Sequence, residues 1–240
     1  MQINYFKILI FLSSKAKSLF DISAEEQKAF LNSIPEPEDD IERSYNQYLC
    51  QMLFLKGRYI YAYNFLAFFM LLPIVILYLL NPKKKNQIKY DAVADMKDWG
   101  RGLIPKKIFT QYKSINYINW KQGRKLSYND LSFLFKIFLR HPFSYYFLLK
   151  CIVRVSDYSY AIMLYKPEAI IVHAEFSFTS SILTAYCNIY SIKHINVMHG
   201  EKLFNIRDSF FRYDKCFIWD QYYETLFLSL HAAKGQFTVD

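Results

Sequence analysis

From Pro167 onward the chain alternates short apolar runs with amphipathic ones, and this alternation restricts the fold more than any other feature. Residues 168–175, EAIIVHAE, form a compact apolar run that closes on Glu175. Residues 176–190, FSFTSSILTAYCNIY, carry Ser and Thr first and an apolar helical face after them. KHINVMHG (193–200), YDKCFIWD (213–220) and QFTVD (236–240) read as further strands. QYYETLFLSLHAAKG (221–235) reads as a helix with Gly235 as its C-cap. Such a rhythm predicts an α/β domain, a Rossmann-like parallel sheet with covering helices. Working groups in such sheets gather at the carboxyl ends of the strands. Glu175, His199 and Asp220 all fall at predicted carboxyl ends. The pattern stops inside its last strand, so the expectation is a truncated protein or a fragment.

Upstream, YDAVADM (90–96) reads as a short strand with acids at both ends. The stretch from there to residue 126 is basic, polar and loop-like, with Gly100, Gly102 and Pro105. Residues 127–166 repeat apolar positions at helical spacing, and Pro142 divides them into two helices. SAEEQKAFLNSI (23–34) predicts a helix capped by Ser23, with Glu26 completing a capping box and Glu25 in the first turn. Pro35 and Pro37 end it. The expected organisation is a helical acidic leader (1–58), a hydrophobic membrane-associated helix with a basic flank (59–85) and an α/β domain (86–240) incomplete at its C-terminus.

Residues 59–80, YIYAYNFLAFFMLLPIVILYLL, hold no charge, and NPKKK follows them. At about 1.5 Å per residue this run is long enough for a hydrocarbon core of about 30 Å. Tyrosines at its start and lysines after its end are interfacial features, and the lysines place that flank on the cytoplasmic side. Pro73 would kink a helix and Asn64 is polar, so a buried or interfacial hairpin remains the other reading. The expected location is the cytoplasmic face of the inner membrane, peripheral or single-span.

The formal net charge is +9, and residues 81–125 alone hold twelve Lys or Arg against three Asp. That segment suits anionic head groups or phosphates. No helix-turn-helix, paired-Cys finger or aromatic RNA-binding motif accompanies it, so no nucleic-acid partner is expected. Cys50, Cys151, Cys187 and Cys216 are scattered, form no C-x-x-C pair and sit among apolar residues, as buried free thiols do. They favour a reducing compartment. The N-terminus has a short apolar run and makes a poor secretory signal.

The sequence has no G-x-G-x-x-G fingerprint, no phosphate loop and no G-x-S-x-G elbow. His173 and His199 are not at zinc-ligand spacing, and neither a cofactor nor a metal is expected. Acid–base chemistry and anion recognition remain. HINVMHGEKLFNIRD (194–208) ends an apolar run at His199-Gly200-Glu201 and adds Lys202 and Arg207. A strand-end histidine serves as a general base near neutral pH, with a carboxylate such as Glu175 fixing its tautomer. Lys202 and Arg207 suit a phosphate or an acidic sugar. Ser177, in FSFTSS, offers a hydroxyl beside free helix N–H groups. Each residue also has a plainer role. Gly200 suits a turn at φ > 0, Glu175 and Asp220 suit helix caps, and Lys202 and Arg207 suit a solvated loop. His173 reads as a core histidine and His141, before Pro142, as a turn residue.

Residues 165–240 resemble bacterial surface-polysaccharide glycosyltransferases of the two-domain GT-B type, most of all at NVMHGE, FIWDQYY and the run before Glu175. They look like the end of the N-terminal, acceptor-side domain of that family. The resemblance implies a transferase of capsule or lipopolysaccharide synthesis, with a nucleotide sugar and a glycan acceptor as its small-molecule partners. By it His199 is a candidate base or phosphate-binding residue, with Glu175 and Glu201 nearby. Taken with the reading of the residues themselves, the expected catalytic pair is His199 and Glu175, and Gly200, Glu201, Lys202, Arg207, Ser177 and Asp220 are expected to bind substrate. In GT-B enzymes the donor sits mainly on a second domain, which these residues do not include, so transfer by this chain alone is expected to be weak. The alternative expectation is a degenerate, non-catalytic scaffold of polysaccharide assembly.

Overall fold

The computed structural model describes residues 21–55, 57–81, 88–96, 98–118 and 123–240. Lysines 83–85 of the basic flank and residues 1–20 of the expected leader lie outside them. Among the described residues three helices come first: α1 (Ala24–Ser33), α2 (Asp40–Met52) and α3 (Gly57–Leu80). There follow β1 (Ala92–Ala94), a 3-10 turn (Asp98–Leu103), α4 (Lys106–Gln111), β2 (Ile115–Tyr117), α5 (Tyr128–Arg140) and α6 (Tyr145–Tyr165). The chain then alternates through β3 (Ala169–Val172), α7 (Ser180–Ile189), β4 (Lys193–Val197), a second 3-10 turn (Ile206–Asp208), β5 (Lys215–Ile218), α8 (Gln221–Ser229) and β6 (Phe237–Val239).

All six strands are parallel, in the order β2-β1-β3-β4-β5-β6. The expected Rossmann-like α/β sheet is therefore present. The order reverses between β1 and β3, the switch point outside which such sheets bind ligands. Side chains alternate across the sheet with period two. Ile170, Val172, Cys216 and Ile218 point to one face and pack under α6, α7 and α8. Ala169, Ile171, Ile195, Val197 and Phe217 point to the other, which α4 covers through Ile108. Strands buried on both faces explain why these runs are apolar throughout.

The basic stretch read as a loop contains α4 and β2. Each is too short to show its period above a background of lysines. Gly235 does not cap α8. That helix ends at Leu230, and Gly235 (φ 75°) turns the chain into β6. The Ser23–Glu26 capping box is formed as expected. Helix α2 lies in the same core as the sheet helices, with Tyr48 and Cys50 buried there.

A second capping box starts α5, where Ser127 and Asp130 bond reciprocally. Asp130 is fully buried and accepts four hydrogen bonds: Ser127 N–H (2.7 Å), Ser159 Oγ (2.7 Å), Tyr186 OH (2.7 Å) and Tyr190 OH (3.0 Å). This one carboxylate ties α5, α6 and α7 together. His141 is the C-cap of α5 and stacks on Tyr45 at 3.7 Å.

Helix α3 runs unbroken through Pro73. It packs against α6, yet of Tyr59–Leu80 only Tyr63, Ala67 and Tyr78 are buried. Asn64 satisfies its polarity locally, accepting from Tyr146 N–H at 3.1 Å and donating to Ile60 C=O at 3.0 Å.

Candidate active site at the carboxyl edge of the sheet

Strand β3 ends at Val172, so Glu175 lies three residues past it, in the turn that leads to α7, rather than closing the strand. His199 and Gly200 lie in the loop after β4, and Gly200 has φ 67°, the left-handed conformation that glycine tolerates. These neighbouring loops place His199 Nδ1 3.5 Å from Glu175 Oε2. Lys202 Nζ reaches the same oxygen at 3.4 Å. Both separations are longer than a charge-assisted hydrogen bond.

Glu175 is fully buried, whereas the His199 side chain keeps 26% of its surface and Lys202 keeps 11%. Burial alone would raise the Glu175 pKa, but His199, Lys202 and Asn196 together outweigh it and hold the carboxyl below its ordinary value. Asn196 on β4 donates from Nδ2 to Glu175 Oε1 (3.1 Å), and its Oδ1 accepts from Ala174 N–H (2.9 Å). Its neighbour on the same face, His194, is buried between Tyr158 OH and Thr184 Oγ1, each at 2.8 Å. Burial drives the His194 pKa down to about 3, so this ring is a neutral part of the core.

Helix α2 fastens the site from behind. Gln47, fully buried, donates from Nε2 to Glu175 C=O (2.8 Å) and Arg207 C=O (2.9 Å), tying the post-β3 turn to the post-β4 loop. Gln51 donates to Phe176 C=O. Ser44 Oγ accepts from Ile182 N–H at 3.0 Å. Helix α1 adds Gln27, whose Oε1 accepts from Ile206 N–H at 3.2 Å. The second 3-10 turn brings Asp208 into this electrostatic environment. Burial pushes its pKa up to about 6, with Lys202 opposing and Glu175 adding to the rise.

His173 is not inside a strand. It follows β3 directly, is half-buried and meets the His199 ring edge-on with centroids 5.0 Å apart. Burial first, and then His199, lower its pKa. The remaining expected residues are placed differently. Lys202 turns inward to Glu175. Glu201 is exposed, and Arg207 is half-buried with its carbonyl held by Gln47. Ser177 Oγ lies 3.0 Å from Thr179 Oγ1, just before α7. Asp220 caps α8, accepting from Tyr222 N–H at 2.8 Å, and is not part of the cluster.

The sequence reading missed Gln47, Asn196, Asp208 and the partnership of His173. Gln47 and Asn196 carry the connection between loops. The usable signal was Asn196 interrupting the apolar KHINVMH run, since a polar residue inside a doubly covered strand needs a buried partner. All four cysteines are free and buried, as expected. Among the described residues no group of three or more His, Cys, Asp or Glu is arranged to hold a metal ion. Comparison with protein-family models, with curated proteins and with solved structures finds no match to this chain.

Proposed function

We propose that the chain is the acceptor-side half of a glycosyltransferase that moves a sugar from a nucleotide sugar to a glycan acceptor in surface-polysaccharide synthesis, at the cytoplasmic face of a membrane. The observation that supports this reading best is the contact of fully buried Glu175 with partly open His199, 3.5 Å apart at the carboxyl edge of a parallel sheet. In the proposed step an acceptor hydroxyl gives its proton to the His199 ring at Nε2, the nitrogen away from Glu175. The acceptor oxygen bonds to the anomeric carbon as the bond from that carbon to the diphosphate breaks. The nucleoside diphosphate leaves with the electron pair. Glu175 orients the ring and stabilises the imidazolium that forms. Lys202 and Asn196 keep Glu175 ionised for that role.

Calorimetric titration with nucleoside-diphosphate sugars tests the reading. Saturable heat with one of them supports it. One observation favours the second reading, a non-catalytic scaffold: Lys202 spends its charge on Glu175 instead of facing an incoming diphosphate. Silence with every nucleotide sugar would favour that scaffold.

A further inference from the structure

We infer that α3 and α5 together form one in-plane docking face for an anionic lipid leaflet, on which α3 lies flat rather than crossing. The inference rests on the membrane-facing part of the proposed function and adds the geometry, the second helix and the lipid class.

Contacts along α3 fix its pose. Near its start Tyr63 stacks on Tyr146 of α6 with centroids 5.0 Å apart. In its middle Leu71, Ile74 and Val75 pack on the core. At its end Leu126 N–H donates to Tyr78 C=O (3.1 Å) and Lys125 Nζ to Leu79 C=O (2.7 Å). Threading α3 through a bilayer would strip all of these contacts from a sheet-covering helix. The opposite side of α3 is apolar and open, with Tyr61, Phe65, Phe69, Leu72, Leu77 and Leu80 exposed at helical spacing.

Helix α5 extends that surface. Phe135, Phe138 and Leu139 are exposed on it, and a groove of ≈ 390 Å³ between the two helices is lined by Leu72, Val75, Leu134 and Phe138, among others. Charge selects the occupant. Residues 56–89, which span α3 and its flanks, contain six Lys or Arg and no Asp or Glu. Helix α5 presents Lys136 and Arg140 at the rim, while its one acid, Asp130, is buried. Arg140 shares its charge with Asp39 and Glu42. Apolar side chains flanked by cations fit the boundary between acyl chains and anionic head groups. Tyr146, on which Tyr63 stacks, precedes Phe147, whose ring lies 5.9 Å from Phe178 in the turn after β3.

The test floats the full chain with vesicles of phosphatidylcholine alone or with about a third phosphatidylglycerol. Binding should strengthen roughly tenfold or more with the anionic lipid. The double variant F135E/L139E, altered only at exposed positions of α5, should weaken binding to anionic vesicles about tenfold. Unchanged binding would overturn the role of α5. Conversion of a dimer to a monomer with vesicle binding intact would assign the face to a second copy. Nitroxide labels in the separate variants Y61C, L72C and L80C provide the second readout, because the native cysteines are buried. All three labels should report one shallow depth. A label at Leu72 near the bilayer centre, with the other two shallow, would overturn the in-plane pose. Vesicle binding needs no sugar transfer, so failure here and failure of the transferase reading are separate results.

Discussion

His199 Nδ1 and Glu175 Oε2 are 3.5 Å apart although the residues sit on different loops, one partly open and the other fully buried. The pair exists because two neighbouring parallel strands, β3 and β4, deliver their loops to the same edge. Lys202, Asn196 and Gln47 then hold the carboxylate and its turn in place.

Lys202→Met leaves a fully buried carboxylate with one cation fewer. The expected cost is about 3 kcal/mol or more, read by urea unfolding. Adding Glu175→Gln should recover much of it, because the charge that needed Lys202 is gone. Costs that simply add in the double variant would show that the 3.4 Å contact carries no coupling.

Gln47→Ala removes one amide that serves two carbonyls, those of Glu175 and Arg207. A loss of about 1–3 kcal/mol is expected. Hydrogen exchange should rise first in residues 173–179 and 199–208, which the amide joins, and a uniform rise across the domain would count against the clamp.

Asp130→Asn offers one oxygen and an amide NH2 where four donors converge. Two or more donors lose their acceptor, at about 2–4 kcal/mol. The melting temperature should fall by several degrees. An unchanged melting temperature would mean that the three helices are held by their apolar contacts alone.

His194 gives stability a pH dependence of known sign. Its folded pKa, about 3, is below the usual value of 6.5, so between those values the unfolded chain binds the extra proton. Stability from this group is therefore complete above pH 6.5 and falls with acid by about 1.4 kcal/mol per pH unit. Asp157 and Asp208, both raised to about 6, act oppositely between their unfolded values and pH 6. The clean measurement is thus a difference. His194→Gln should reduce the slope of unfolding free energy against pH by about one proton relative to the parent chain. Equal slopes would contradict the neutral, buried ring.

Much of the fold was legible because β3, β4 and β5 are apolar runs bounded by turn residues, and Ser23–Glu26 is a local capping signal. Helix α4 and strand β2 were hidden by their length and by the lysines around them. In the site, His199 and Glu175 could be placed because strand ends are visible in sequence. Gln47 could not, since its function depends on α2 packing some 130 residues away in sequence, at a turn that no local pattern points to. Asp220 carried two readings. A strand-end acid and a helix N-cap occupy the same sequence position, and here the cap is what forms.

In the proposed step His199 accepts the proton of an acceptor hydroxyl while Glu175 orients it. Membranes containing the chain, supplied with nucleotide sugars, should release nucleoside diphosphate. His199→Ala should slow that release by roughly a hundredfold or more, with the fold and vesicle binding unchanged. Release at the parent rate from His199→Ala would contradict the account.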